Sequence, residues 1–200
     1  MAYWERRLPH WIPEQSSIFV TWRLAGTLPV AAQETTWREA DAALDRSVCG
    51  PRWLAQTAIA EITAEALCYG ERVGKYRLHA WVVMPNHVHA VVTPESPFSE
   101  IMRWLKWTTA RRSNQLLGRR GIAFWQDESH DHWIRDSAEF KSIVAYVEWN
   151  PVTAGLWNCR SFGGGLVRGK QDKGRRQDRL PHRVSRVNGV GSCYHRSWLI

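Results

Sequence analysis

"KYRLHAWVVMPNHVHAVVTP", residues 75–94, is the stretch on which the fold turns. Two apolar runs, 75–84 and 87–94, are separated only by Pro85 and Asn86, which is the signature of a tight β-hairpin. Side chains alternate faces along a strand, so His87 and His89 point the same way while Val88 points the other. Two imidazoles side by side on a strand make a poor core and a good half of a metal site.

Outward from the hairpin, "SSIFVTWRLAG" (16–26) reads as an earlier strand closed by Gly26. From Glu34 to Leu67 the composition is helical with a break at "CGPR" (49–52), where Gly50 ends one helix and Pro51 opens the next. "SEIMRWLKWTTARRSNQLLG" (99–118) is a helix with Ile101, Leu105, Leu116 and Leu117 as its apolar residues, Ser99 as N-cap and Gly118 as stop. "DHWIRD" (131–136) is a short strand. "SAEFKSIVAYVEWN" (137–150) is a helix with Phe140, Ile143, Val144 and Val147 on one face, ended by Pro151 because the residue before proline avoids the helical region. The order β-α-β-β-α-β followed by a helix matches an α+β, ferredoxin-like split βαβ fold, an antiparallel sheet with helices on one face. Residues 14–156 form that domain and 157–200 a basic, glycine-rich tail.

The charge supports this division. Of 27 Lys+Arg and 19 Asp+Glu, residues 157–200 hold ten basic and two acidic ones, so the tail carries the whole excess of +8. Such a tail suits a polyanion, most often nucleic acid. No apolar run is long enough to span a bilayer, and "MAYWERRLPHWIPEQ" has charges and prolines where a secretion signal would be apolar. A cytoplasmic protein without membrane association is expected. Cys49, Cys68, Cys159 and Cys193 are scattered, which argues against a zinc ribbon or a disulfide framework.

Several chemistries use two histidines at this spacing. A nucleotide-hydrolase pattern would place a third histidine at position 91, which is Val91, and a cupin-like site would want a glutamate where Val92 and Thr93 stand. The remaining polar pair is on the last helix: Tyr146 and Asn150, four apart and so on one face. A tyrosine hydroxyl can attack phosphorus when the phosphate is polarised by a metal. An amide oxygen from Asn150 with the imidazoles of His87 and His89 is a mixed N/O set suited to Mg²⁺ or Mn²⁺.

"MPNHVHAVV" (84–92), "FWQDESHDHWIRD" (124–136) and "YVEWNPVTAGL" (146–156) together resemble the single-tyrosine HUH transposases, especially the REP-associated tyrosine transposases of the IS200-like group. The resemblance runs from about residue 19 to Leu156. It implies that His87 and His89 are metal ligands, that Tyr146 is the nucleophile and that Asn150 is the third ligand. It further implies cleavage of single-stranded DNA beside imperfect hairpins through a 5′-phosphotyrosine link, by a monomer or a homodimer. Beside such a site, Arg103, Lys106, Arg111, Arg112, Arg119 and Arg120 are expected to contact phosphates. Trp104, Trp107, Trp125 and Trp149 are near elements that could face DNA and stack on unpaired bases. His132 and Asp131 are candidates for orienting a ligand or the tyrosine, and His79 is left outside the ligand set. The competing expectations are a catalytically inactive hairpin DNA- or RNA-binding protein on the same scaffold and a small-molecule metal hydrolase. The basic helix and the lack of an acidic partner in the motif count against the hydrolase.

Overall fold

The structure, a computed structural model, describes residues 2–5, 9–12, 16–27, 37–46, 50–156 and 197–199. The basic tail expected over 157–200 lies outside the described residues except for its last strand. Seven strands and four α-helices are described: β1 (Ala2–Glu5), β2 (Pro9–Ile12), β3 (Ile18–Arg23), α1 (Trp37–Arg46), α2 (Thr57–Arg72), β4 (Tyr76–Val83), β5 (His87–Pro94), α3 (Phe98–Leu116), β6 (His130–Trp133), α4 (Ser137–Thr153) and β7 (Ser197–Leu199).

The main sheet runs β6-β3-β5-β4-β7, and its first four strands are mutually antiparallel. Chain order β3-α-β4-β5-α-β6 with spatial order β6-β3-β5-β4 is the ferredoxin-like split βαβ arrangement expected from the sequence. β7 adds a parallel strand against β4. The hairpin β4–β5 closes over Pro85 and Asn86, with the Met84 amide donating to the His87 carbonyl at 2.9 Å.

Alternation along β3 and β5 divides the core in two. Ile18, Val20, Trp22, Val88, Ala90 and Val92 point to one face, where Ile59 and Leu67 of α2 and Ile101 and Leu105 of α3 cover them. Phe19 and Val91 point to the other face, with Ile143 and Val147 of α4. His87 and His89 follow the parity of Val91, so the hairpin delivers both imidazoles to the α4 side. β4 obeys the same rule only after an interruption. Leu78 pairs with Val92 but Ala80 with Val91, so a bulge at His79 exchanges the faces, and Ala80 and Val82 join the α4 side.

Four sequence expectations are corrected. Pro51 does not open a helix: a single 3₁₀ turn, Trp53–Ala55, intervenes before α2 starts at Thr57. Ser99 is not the cap of α3. Pro97 holds that position and makes no side-chain cap, leaving Ser99 inside the first turn. Leu116 is exposed on the outer side of α3, while its neighbour Leu117 packs against the core before Gly118 (φ +66°) ends the helix. Lastly, α4 passes through Asn150-Pro151 to Thr153, and the Ala154 amide still donates to the Asn150 carbonyl at 2.9 Å. The missing proline N–H costs one helical bond. Burial of Asn150 and Pro151, with the partners Asn150 finds inside, holds the helical course.

Candidate metal and nucleophile site

The site is assembled on the turn that the hairpin needs. Asn86 is buried, and its Nδ2 donates to the Leu44 carbonyl of α1 at 2.9 Å. That orientation turns Asn86 Oδ1 toward His87 Nδ1, 2.7 Å away. A carbonyl oxygen only accepts, so the His87 proton resides on Nδ1 and Nε2 presents a lone pair. The ring of His89 is oriented by a 2.8 Å hydrogen bond between its Nδ1 and Thr21 Oγ1 on the neighbouring strand. Both Nε2 atoms therefore converge, 3.0 Å apart, and both rings are fully buried.

The third member comes from α1. Asp41 is buried, with Oδ1 at 2.9 Å from His89 Nε2 and 3.3 Å from His87 Nε2. Among the described residues these three form the one cluster of His, Cys and acidic side chains with metal-binding spacing. An octahedral hard cation with donors at about 2.1 Å sets neighbouring donors about 3.0 Å apart. The observed edges of 2.9, 3.0 and 3.3 Å match one face of such a polyhedron. Asp45, one helical turn on, has Oδ1 3.8 Å from His87 Nε2.

Electrostatics favour a neutral His87 and an ionised Asp41. Burial, and secondarily the neighbouring His89 charge, lowers His87 from 6.5 to about 3, against a smaller opposing pull from Asp41. His87 is thus neutral at physiological pH, as a ligand must be. Burial pushes the Asp41 carboxyl up, but the adjacent His89 and the hydrogen bonds from His89 and Asn150 outweigh it, leaving Asp41 below its ordinary value and ionised.

Asn150 joins this cluster to Tyr146. Its Nδ2 lies 3.3 Å from Asp41 Oδ2 and 3.3 Å from the Tyr146 hydroxyl oxygen, one turn earlier on α4. Its Oδ1 is buried with no hydrogen-bond donor, which suits an oxygen that coordinates a cation. The Tyr146 ring is seated edge-on against Phe19 and His89, at centroid distances of 6.2 and 5.9 Å. α4 is anchored at its start by Asp136, whose Oδ1 accepts from the Ala138 and Glu139 amides, both at 2.8 Å. Glu139 in turn accepts from His132 Nε2 at 2.9 Å, tying α4 to β6. Hydrogen bonds from the Arg135 amide and His132 hold the Glu139 carboxyl below its ordinary value.

His87, His89, Tyr146 and Asn150 are therefore brought together, while the basic residues of α3 are not. Arg103, Lys106, Arg111 and Arg112 stand on the helix that covers the opposite sheet face, and Arg119 and Arg120 follow its end. Lys106 donates to the Gln126 and Asp127 carbonyls, Arg112 to Glu65, and Arg111 and Arg119 lie over Trp107 and Trp53. His132 contacts Glu139, and His79 contacts Thr93 Oγ1 at 2.7 Å. Sequence reasoning missed Asp41 and the double role of Asn86. The available signal was the i, i+4 pair Asp41–Asp45 on an amphipathic helix, a spacing that solvated helices also show.

Comparison with known proteins places this split βαβ chain among the transposases. The family model described as "Transposase IS200 like" matches residues 52–150, and the chain belongs to that family. Over 116 residues the chain is 27% identical to the REP-associated tyrosine transposase of Escherichia coli (strain K12), spanning 54% of this chain and 68% of the relative. The solved structure of a REP-associated tyrosine transposase bound to a REP hairpin superposes with a TM-score of 0.51 at 20% identity. It covers 78% of this chain and 76% of that one, a likeness of fold. Among the described residues no helix is long and apolar enough to cross a membrane.

Proposed function

We propose that this transposase-family chain is a metal-dependent enzyme that cleaves and rejoins single-stranded DNA through Tyr146, next to hairpin elements. The observation that carries the reading is the Asn150 amide shared between the Tyr146 hydroxyl and Asp41, which couples nucleophile and donor cluster in one network.

His87 Nε2, His89 Nε2 and Asp41 Oδ1 would hold the ion, Mg²⁺ or Mn²⁺ by their N/O character, with Asn150 Oδ1 completing the protein's share. A bound divalent cation supplies polarisation of a phosphate oxygen and neutralisation of charge at phosphorus. The chain does the rest. Asn150 Nδ2 donates to the Tyr146 oxygen and orients it, while Phe19 and His89 wedge the ring. The Tyr146 Oη–P bond forms as the P–O3′ bond breaks. The proton lost from the phenol is balanced by one gained at the departing 3′ oxygen. No water or nucleotide is consumed, so the phosphodiester energy is kept for rejoining. The relative's name and the hairpin bound by the superposed structure support a hairpin-flanked substrate. Arg103, Lys106, Arg111, Arg112, Arg119 and Arg120 are assigned to DNA backbone contacts. Because α3 lies across the sheet from Tyr146, these contacts position the DNA away from the cleavage point.

The test is incubation with labelled single-stranded hairpin oligonucleotides and Mn²⁺ on denaturing gels. A nick and a protein-linked fragment are expected for the wild type and for neither Tyr146→Phe nor His87→Ala. Equal hairpin binding by wild type and Tyr146→Phe, with no nick on any substrate, would instead make the chain a binding protein.

A further inference from the structure

The structure sorts the four tryptophans that the sequence set beside DNA. Trp125 is in the core, its Nε1 donating to Thr109 Oγ1 at 2.8 Å. Trp104 is half-buried against the α2–α3 core under Lys75. Trp107 is exposed but stands on α3, across the sheet from the site. Trp149 alone is both exposed, at 48%, and carried on the nucleophile's own helix.

Its place on α4 is specific. Trp149 follows Tyr146 by three residues, so the two side chains are neighbours on the helix surface, about 60° apart in projection. Helical side chains lean toward the N-terminus, which carries the indole back over the turn that bears Tyr146. Asn150, the next residue, points inward to Asp41. The helix thus presents, side by side, a buried amide, a half-buried phenol and a solvent-facing indole. A strand whose phosphate reaches the Tyr146 hydroxyl must lay a neighbouring nucleotide across that margin. An indole half exposed on that margin offers a flat apolar face to an unpaired base.

We propose that Trp149 is the stacking platform for a base flanking the scissile phosphate, setting where the strand lies relative to Tyr146. This rests on the reading of Tyr146 as the nucleophile toward single-stranded DNA. Stacking tolerates any base, so Trp149 fixes the position of the strand rather than its sequence.

The test uses Tyr146→Phe protein, which lacks the hydroxyl required for cleavage in the proposed function, and a twenty-nucleotide oligothymidylate beside an abasic strand of equal length. Adding Trp149→Ala should weaken oligothymidylate binding roughly 5- to 150-fold and leave the abasic strand unaffected. Trp149→Phe should recover part of the loss, and Trp107→Ala should not reproduce it. Photo-crosslinking with 5-iododeoxyuridine in the strand should mark Trp149. In the cleaving protein, Trp149→Ala should lower kcat/KM, through a higher KM and a strand less well placed for Tyr146. Unchanged oligothymidylate affinity in Trp149→Ala, or crosslinks confined to other residues, would overturn the proposal. Trp149-dependent binding in a protein that never cleaves would keep the stacking contact but overturn its place beside a scissile phosphate, together with the nucleophile role of Tyr146.

Discussion

Acidifying the metal-free protein from pH 7.5 to pH 5 is expected to remove about 2 kcal/mol of folding stability through one side chain, His87. In the unfolded chain this imidazole titrates near its ordinary 6.5, while burial holds it to about 3 in the folded protein. Below pH 6.5 the unfolded state therefore binds a proton that the native state refuses. Stability is full above that value and is lost as pH falls toward 3. At pH 5 the loss is RT ln(1 + 10^1.5), about 2 kcal/mol, and it is insensitive to the folded value as long as that lies well below 5. Asp41, held below its ordinary 3.8, is ionised in both states across this window and adds nothing there. Urea unfolding in EDTA at a series of pH values, with constant m, reads the effect. His87→Asn should lower stability overall and flatten this part of the profile. A wild-type profile flat from pH 7.5 to 5, or an equal slope in His87→Asn, would refute the reasoning.

Gly70→Ala should destabilise by about 1–3 kcal/mol, since an added Cβ would sit 2.6 Å from Tyr76 Cζ and displace the Tyr76 hydroxyl from the Leu67 carbonyl. Thermal unfolding measures this loss, and pairing the change with Tyr76→Leu should recover part of it. Asp136→Ala removes the acceptor for two amides at the start of α4 and should cost about 0.5–2 kcal/mol, seen as a lower Tm with urea m unchanged. Asp41→Asn should weaken Mn²⁺ binding at least about tenfold by calorimetric titration, because it removes the cluster's single carboxylate donor. The fold should survive, because the amide keeps the shape of the carboxylate.

The hairpin and its histidines were legible because a two-residue Pro-Asn turn and strict alternation are local signals, and together they fix both register and face. The order of strands and helices was legible for the same reason. What escaped was decided by contacts distant in sequence. Asp41 precedes His87 by 46 positions, and nothing local separates it from any acid on a solvated helix. The end of α4 was misread because Asn-Pro is a strong local stop, which Asn150 overrides through its bonds to Asp41 and Tyr146. The bulge at His79 left no mark that alternation could register. The basic residues of α3 were recognised as a group, but which sheet face they served depended on topology.

The most direct measurement is peptide mapping of the protein–DNA adduct after reaction with a hairpin-flanked single strand and Mn²⁺, by nuclease trimming, trypsin digestion and mass spectrometry. A nucleotide joined through its 5′ phosphate to Tyr146, in the tryptic peptide 142–160 and absent when Asp41, His87 or His89 is replaced, is the predicted result. Adduct on another side chain, or strand cleavage with no adduct, would contradict the account.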